Sequence, residues 1–180
     1  MERLAAAIRI LEGVTEWSGR LVAWLTLALV GVTFAVVVLR YGFSQGWIAL
    51  QESITYLHAL VFMIGAAYTL RHDEHVRVDV FYQRLSKKGR AWVNILGSLV
   101  LLLPMAGFLF WMSWDFVASS WALKEGSPEP GGLPILYLLK SLLLAMPALL
   151  IVQGLALIGR GVLVLRGRPL PVPERGEPEV

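Results

Sequence analysis

The chain of 180 residues is 57% apolar and only 16% charged, against roughly 45–50% and about 25% in soluble domains, and a fold this small has too little interior to hide the difference. The excess must face lipid. Cysteine is absent, which excludes disulfide frameworks, thiolate zinc sites, four-cysteine iron–sulfur clusters and cysteine nucleophiles. A net charge of +3 has to be read by its placement before it says anything about partners.

An amphipathic segment comes first. Leu4, Ile8 and Leu11 recur at helical spacing, with Arg3, Arg9, Glu12 and Glu16 left for water, so residues 1–16 are expected as a helix lying in the membrane interface. Four charge-free stretches follow, at 21–39, 54–70, 91–114 and 141–159. About 20 residues cover the roughly 30 Å hydrocarbon layer, and backbone groups in lipid must bond within their own segment, so each stretch reads as a helix. The expected fold is an all-α membrane domain over 17–165, with spans at about 17–39, 48–70, 91–117 and 134–159. The first stretch exceeds the usual signal-peptide core, and Arg40-Tyr41 follows it in place of a small-residue cleavage site. It is therefore expected to remain as an anchor. Between spans two and three, Val76–Arg90 mixes Val78, Val80, Phe81 and Leu85 with five basic residues and is expected to rest on the inner leaflet. Ser127–Pro134 reads as a rigid loop between spans three and four. The tail 166–180, with Pro169, Pro171, Pro173 and Pro178, is expected to be disordered.

Orientation follows from Lys and Arg. Thirteen of the 16 fall in the N-terminal segment, the connection between spans two and three, and the tail; only Arg40, Lys124 and Lys140 fall on the other side. Both termini are thus expected in the cytoplasm. This bias accounts for the basic balance, and no nucleic-acid partner is called for.

Titratable groups are few. His72-Asp73-Glu74-His75 is accounted for by a hydrophilic turn at a membrane exit, so no metal is assigned. His58 is the one histidine within a span, and a bis-histidine haem needs a second imidazole at its depth. Neither cofactor nor enzymatic activity is expected. Charges near the membrane edge are costly and usually paired. The hairpin between spans one and two brings Arg40 and Glu52 to similar depth, which predicts an ion pair. Lys140 on span four can snorkel outward with its long stem, or reach Asp115 on span three as a second pair. Both read as devices that fix helix packing, the alternative being that one carboxylate binds a coupling cation or contacts another subunit. A transporter made of these helices alone would need a midplane site, and none is evident.

One set of residues resembles a known family. Arg40-Tyr41, Trp47, Glu52, Tyr56, Gly65-Ala66-Ala67, Arg71 and His75-Val76-Arg77-Val78-Asp79, followed by Ser127–Pro134, Lys140 and Gln153-Gly154, are similar in order and spacing to the small membrane subunit of tripartite ATP-independent periplasmic (TRAP) transporters. The resemblance implies an inner-membrane protein that works with a large membrane subunit and a periplasmic substrate-binding protein in sodium-driven uptake of organic acids. It also implies that the sodium and substrate sites belong to the large subunit, while the small one braces it and helps dock the binding protein. Carried over residue by residue, Arg40, Glu52 and Lys140 match the family's charged positions, while His75 and Asp79, with Arg71 and Arg77 beside them, match its inner-loop motif. Trp47 and Asp115 complete the docking candidates. The chain departs from the pattern at Gln51, where a second acid is common, and at Leu144, where a proline is expected and Pro147 comes later instead. The Pro-Gly-Gly-Leu-Pro form of the loop is similar to a subgroup associated with 2-oxo and hydroxy acids. Two other readings compete: a haem-bearing redox subunit, and an assembly factor for another membrane complex.

Overall fold

The computed structural model describes residues 2–75, 82 and 84–170. Four helices in it are long and apolar enough to cross a membrane: α1 (Glu2–Gly42), α2 (Ile48–Arg71), α3 (Lys87–Leu123) and α4 (Leu136–Leu165). No strand occurs among the described residues. The helices alternate in direction, so both chain ends share one end of the bundle. The 43–47 connection and the 124–135 loop form the other.

Each boundary has a local cause. α1 is 41 residues long, about 60 Å at 1.5 Å per residue, or roughly twice the hydrocarbon thickness. No proline interrupts it, so the backbone does not break between residues 16 and 17. The segment expected on the surface and the first span are one continuous helix. α2 follows extended Trp47 and ends at His72, ahead of left-handed Asp73 (φ 61°). The Ser86 hydroxyl caps α3 by accepting from the Gly89 amide at 3.2 Å. Within α3, a π turn over Ser98–Leu102 stands just ahead of Pro104. Proline lacks an N–H, and its ring crowds the carbonyl one turn back; the wider turn makes room for it. α3 stops at Lys124, which is left-handed, and the Glu125 amide returns to the Ser120 carbonyl at 3.0 Å. That closure satisfies a carbonyl the helix would otherwise leave bare.

The helix α4 is the centre of the bundle, with α1, α2 and both halves of α3 packed against it. Small residues let the neighbours in. A Cβ on Gly161 would stand 2.6 Å from Ile95 of α3, and one on Gly159 would stand 2.8 Å from Ile8 of α1. Ile8, Ala156 and Leu163 form the buried cluster at this contact, flanked by Leu4, Ala5 and Leu11. The first turns of α1 thus bury their apolar stripe against protein. Pro147 lies within α4 and is buried.

At the terminus-bearing end, three of the four helices are joined by charge. The Arg160 guanidinium grips both carboxylate oxygens of Glu12, with Nη2 2.7 Å from Oε2. Arg71 at the end of α2 donates through Nη1 to the Glu12 carbonyl at 2.6 Å, and the same nitrogen lies 2.8 Å from Glu16 Oε2. Glu16 also receives Arg20 at 2.8 Å, and His72 Nε2 lies 3.4 Å away. The expectation that Glu12 and Glu16 face water is therefore corrected. Glu12 is only 3% exposed, because the stripe that carries Ile8 toward α4 carries Glu12 with it, one turn on.

Removing one member of such a buried pair strands the other. Glu12→Ala is expected to destabilise the bundle by about 3 kcal/mol, read as a lowered Tm of the detergent-purified protein. Arg20→Ala, which removes a side chain 76% exposed, is expected to cost no more than about 1 kcal/mol.

Candidate functional site

The opposite end carries most of the residues singled out by sequence, and its centre is the 124–135 loop. Glu52, in the second turn of α2, holds this loop with both carboxylate oxygens. The Ser127 hydroxyl donates to Oε1, and the Leu133 amide donates to Oε2 at 2.7 Å. The loop braces itself as well. The Ser127 amide donates to the Leu133 carbonyl at 2.9 Å, the Gly132 amide to that of Glu129 at 3.0 Å, and the Glu129 amide to the Ser127 hydroxyl at 3.1 Å. Gly131 is left-handed at φ 80°, where L side chains are strained. At Gly132 a Cβ would fall 2.4 Å from the Ser127 hydroxyl and 2.8 Å from Glu52 Oε1. Any side chain there would force the clasp apart. Pro128, Pro130 and Pro134 restrict the remaining backbone.

This arrangement corrects the expected Arg40–Glu52 pair. The two residues do lie near the same end of one hairpin, but Glu52 is turned toward the loop and not toward α1. Arg40 is exposed and has no ion-pair partner among the described residues. Trp47, 71% exposed, stands immediately before α2 and is open on the surface.

The second expected pair is corrected too. Lys140 Nζ lies 2.5 Å from Glu125 Oε2, with its charge 4.0 Å from the centre of the Phe116 ring. The Lys140 charge reaches the level of Phe116, which follows Asp115 in the chain, so depth allows either acid; the lysine is turned to Glu125, and Asp115 is exposed. Aromatic contacts close the same seam: Trp121 Nε1 donates to Ser141 Oγ at 2.7 Å, the Trp121 and Tyr137 rings meet edge-on at 4.7 Å, and Lys124 Nζ sits over both.

Deeper in the bundle, polar groups are turned inward on their own helices. Thr33 returns its hydroxyl to the Leu29 carbonyl at 2.7 Å, Thr69 to that of Gly65 at 3.1 Å and Ser141 to that of Tyr137 at 2.8 Å. His58 stacks on Phe62 one turn away, centroids 6.3 Å apart. Gln153 is 1% exposed, and its carbonyl oxygen has no hydrogen-bond partner among the described residues. At the terminus-bearing end, Arg71 belongs to the Glu12–Glu16 cluster, and His75 is exposed beyond α2. Arg77 and Asp79, the rest of that motif, lie outside the described residues, as does residues 171–180 of the expected disordered tail.

Sequence reasoning missed Glu125 and Ser127 as partners at the loop end, and Glu12, Glu16 and Arg160 at the other. Signals existed for the last three. Arg160 is the lone charge in 141–165, and Glu12 and Glu16 stand one turn apart on one helix face.

The hydrogen bond from Lys140 holds the Glu125 carboxyl below its usual range. A carboxylate depressed in the folded state contributes stability that is present above its unfolded pKa and is lost as pH falls through its folded pKa. The Tm gap between wild type and Glu125→Gln is therefore expected to be open at pH 7 and to close as the pH falls below the ordinary glutamate range. A gap that stays constant across that range contradicts the pairing.

Residues 29–163 match the family described as tripartite ATP-independent periplasmic transporters, DctQ component. A Haemophilus influenzae protein provisionally named a TRAP transporter small permease protein is 32% identical over 106 residues, which cover 57% of this chain and 66% of that relative, a little under two thirds of its length. No solved structure gives a significant match. With four apolar helices and three quarters of its length inside the family's bounds, the chain belongs to the DctQ family, the small membrane component of TRAP transporters.

Proposed function

We propose that this protein is the non-catalytic frame of a sodium-driven organic-acid importer in the inner membrane. It braces a large membrane subunit and presents its 124–135 loop to a periplasmic substrate-binding protein. Both termini then lie in the cytoplasm, in accord with the thirteen-to-three division of basic residues. The observation that carries this reading is the clasped loop. A surface that recognises a diffusing partner binds more tightly when it is already ordered, because less conformational entropy is lost on association. Here one carboxylate fixes both ends of an eight-residue turn, 127–134, and three prolines stiffen it. The exposed Pro128, Glu129, Pro130 and Gly131 form a shaped face at the membrane surface.

The spans support the rest. The hydroxyls of Thr33, Thr69 and Ser141 are spent on carbonyls of their own helices, and the charges of the spans are concentrated at the bundle's ends. An organic anion crossing the membrane needs donors in mid-span. Those donors are assigned to the large subunit. The Pro-Gly-Gly-Leu-Pro loop supports 2-oxo or hydroxy acids as the cargo.

The test is on the clasp. In Glu52→Gln the amide can turn its oxygen to the Leu133 N–H and its nitrogen to the Ser127 hydroxyl, so both contacts are kept, but as hydrogen bonds of a neutral group, which are about half as strong as those of a carboxylate. With about 1.4 kcal/mol lost, binding-protein affinity for the assembled transporter is expected to fall about tenfold, while the membrane subunits still co-purify. Glu52→Ala, which loses both bonds, is expected to weaken docking further. Unchanged binding-protein affinity in both variants would contradict a docking role for this loop.

A further inference from the structure

The terminus-bearing end holds more positive charge than its ion pairs use. An open hollow of about 450 Å³ lies along α1 there, walled by Arg9, Gly13, Glu16, Trp17, Arg20 and Arg71. The guanidinium groups of Arg9, Arg20, Arg71 and Arg160 gather around only two carboxylates: Arg160 takes Glu12, while Arg20 and Arg71 share Glu16. Arg9 is exposed and has no ion pair among the described residues. Arg20 engages Glu16 through Nε alone, which leaves the donors of both its amino groups over.

What the walls touch sets their level in the membrane. The charge-free runs of α2 and α4 end at Leu70 and Gly159, so Arg71 and Arg160 stand at the membrane edge. Ile8 lies against Gly159, and the Glu16 carboxylate meets both Arg71 and Arg20. The segment from Ile8 to Arg20 is thus held at that edge, beside the phosphate groups of the leaflet. Two stripes run along it at helical spacing. Arg9, Gly13, Glu16 and Arg20 form the charged one. Ile10, Val14, Trp17 and Leu21 form its neighbour, and all four are exposed. Cations beside an apolar strip match a lipid's phosphate beside its acyl chains, and tryptophan settles at the level where the two meet.

Gly13 keeps the hollow open. A Cβ there would meet no atom within 4 Å, so packing within the chain does not call for glycine, which weakens a helix interior. A phosphodiester entering the hollow accepts charge-assisted hydrogen bonds from guanidinium forks, and basic pockets at the membrane surface are a recurrent form of anionic-lipid site.

We infer that this hollow binds one anionic phospholipid from the leaflet at the terminus-bearing end. Arg9 and Arg20 hold its phosphate, and its acyl chains run along Ile10, Val14 and Leu21. The site belongs to this chain alone, so its failure would leave the proposed role in the transporter standing.

The experiment is native mass spectrometry of the full-length chain, released from detergent after incubation with equal amounts of phosphatidylglycerol and phosphatidylcholine. Wild type is expected to retain one phosphatidylglycerol at least fivefold over phosphatidylcholine, and a tenfold excess of inorganic phosphate should not displace it. Arg9→Gln with Arg20→Gln is expected to lower that retention at least fivefold. Gly13→Leu, which fills the hollow and leaves every charge in place, should do the same. Lys87→Gln with Lys88→Gln removes equal charge from exposed positions at the start of α3 and should leave retention unchanged. Far-ultraviolet circular dichroism of each variant should match wild type, since every altered position is exposed. Equal retention of the two lipids, displacement by inorganic phosphate, full retention in Gly13→Leu or in the arginine variant, or an equal loss in the lysine variant would overturn the inference.

Discussion

A carboxylate hidden from water and the partly buried guanidinium that grips it hold three helices in register. Glu12 on α1 and Arg160 on α4 meet through two hydrogen bonds, and Arg71 on α2 reaches the Glu12 backbone from the other side. Within an apolar bundle the hydrophobic stripe does little to fix one helix against another, because lipid tails are as apolar as leucine. Polar contacts at the ends therefore carry more of the specification. The long α1 depends on this junction most directly. Its first turns would otherwise extend beyond the bilayer core, yet they lie against α4 with Ile8 over Gly159.

The same constraint shapes the opposite end. Charged groups gather at the membrane edge, where hydration and pairing are both available, and Lys140, Glu125 and Glu52 each fix an element there. Lys140 and Glu125 close α3 onto α4. Glu52 is used differently, as an acceptor of one hydroxyl and one amide, so a residue of α2 holds a loop 75 to 81 positions later in sequence. The bundle is therefore stapled at one end and ordered at the other. Such division suits the frame proposed above.

Hydropathy made the four spans legible, since a charge-free run of about twenty residues has few alternatives in lipid. The loop was legible from its prolines and glycines. Side-chain pairing was not, because hydropathy reports the depth of a residue in a helix and not the angle at which it points. Arg40 and Glu52 share a depth but not a face. Asp115 and Lys140 stand on adjacent helices and the lysine charge lies against Phe116, the neighbour of Asp115, yet it is turned to Glu125. The continuity of α1 was hidden for another reason. An amphipathic stripe reads alike whether it meets headgroups or a neighbouring helix, and the discriminating fact, Gly159 facing Ile8, lies 151 residues downstream in the chain.

The proposed role as a frame has a direct functional consequence. In sealed vesicles with an imposed sodium gradient, this chain alone is expected to accumulate no organic acid. The chain together with its large subunit and binding protein should accumulate it, and omission of this chain should abolish that uptake. Sodium-dependent accumulation in vesicles holding only this protein would show that the substrate passes through its own four helices, contrary to a bracing role.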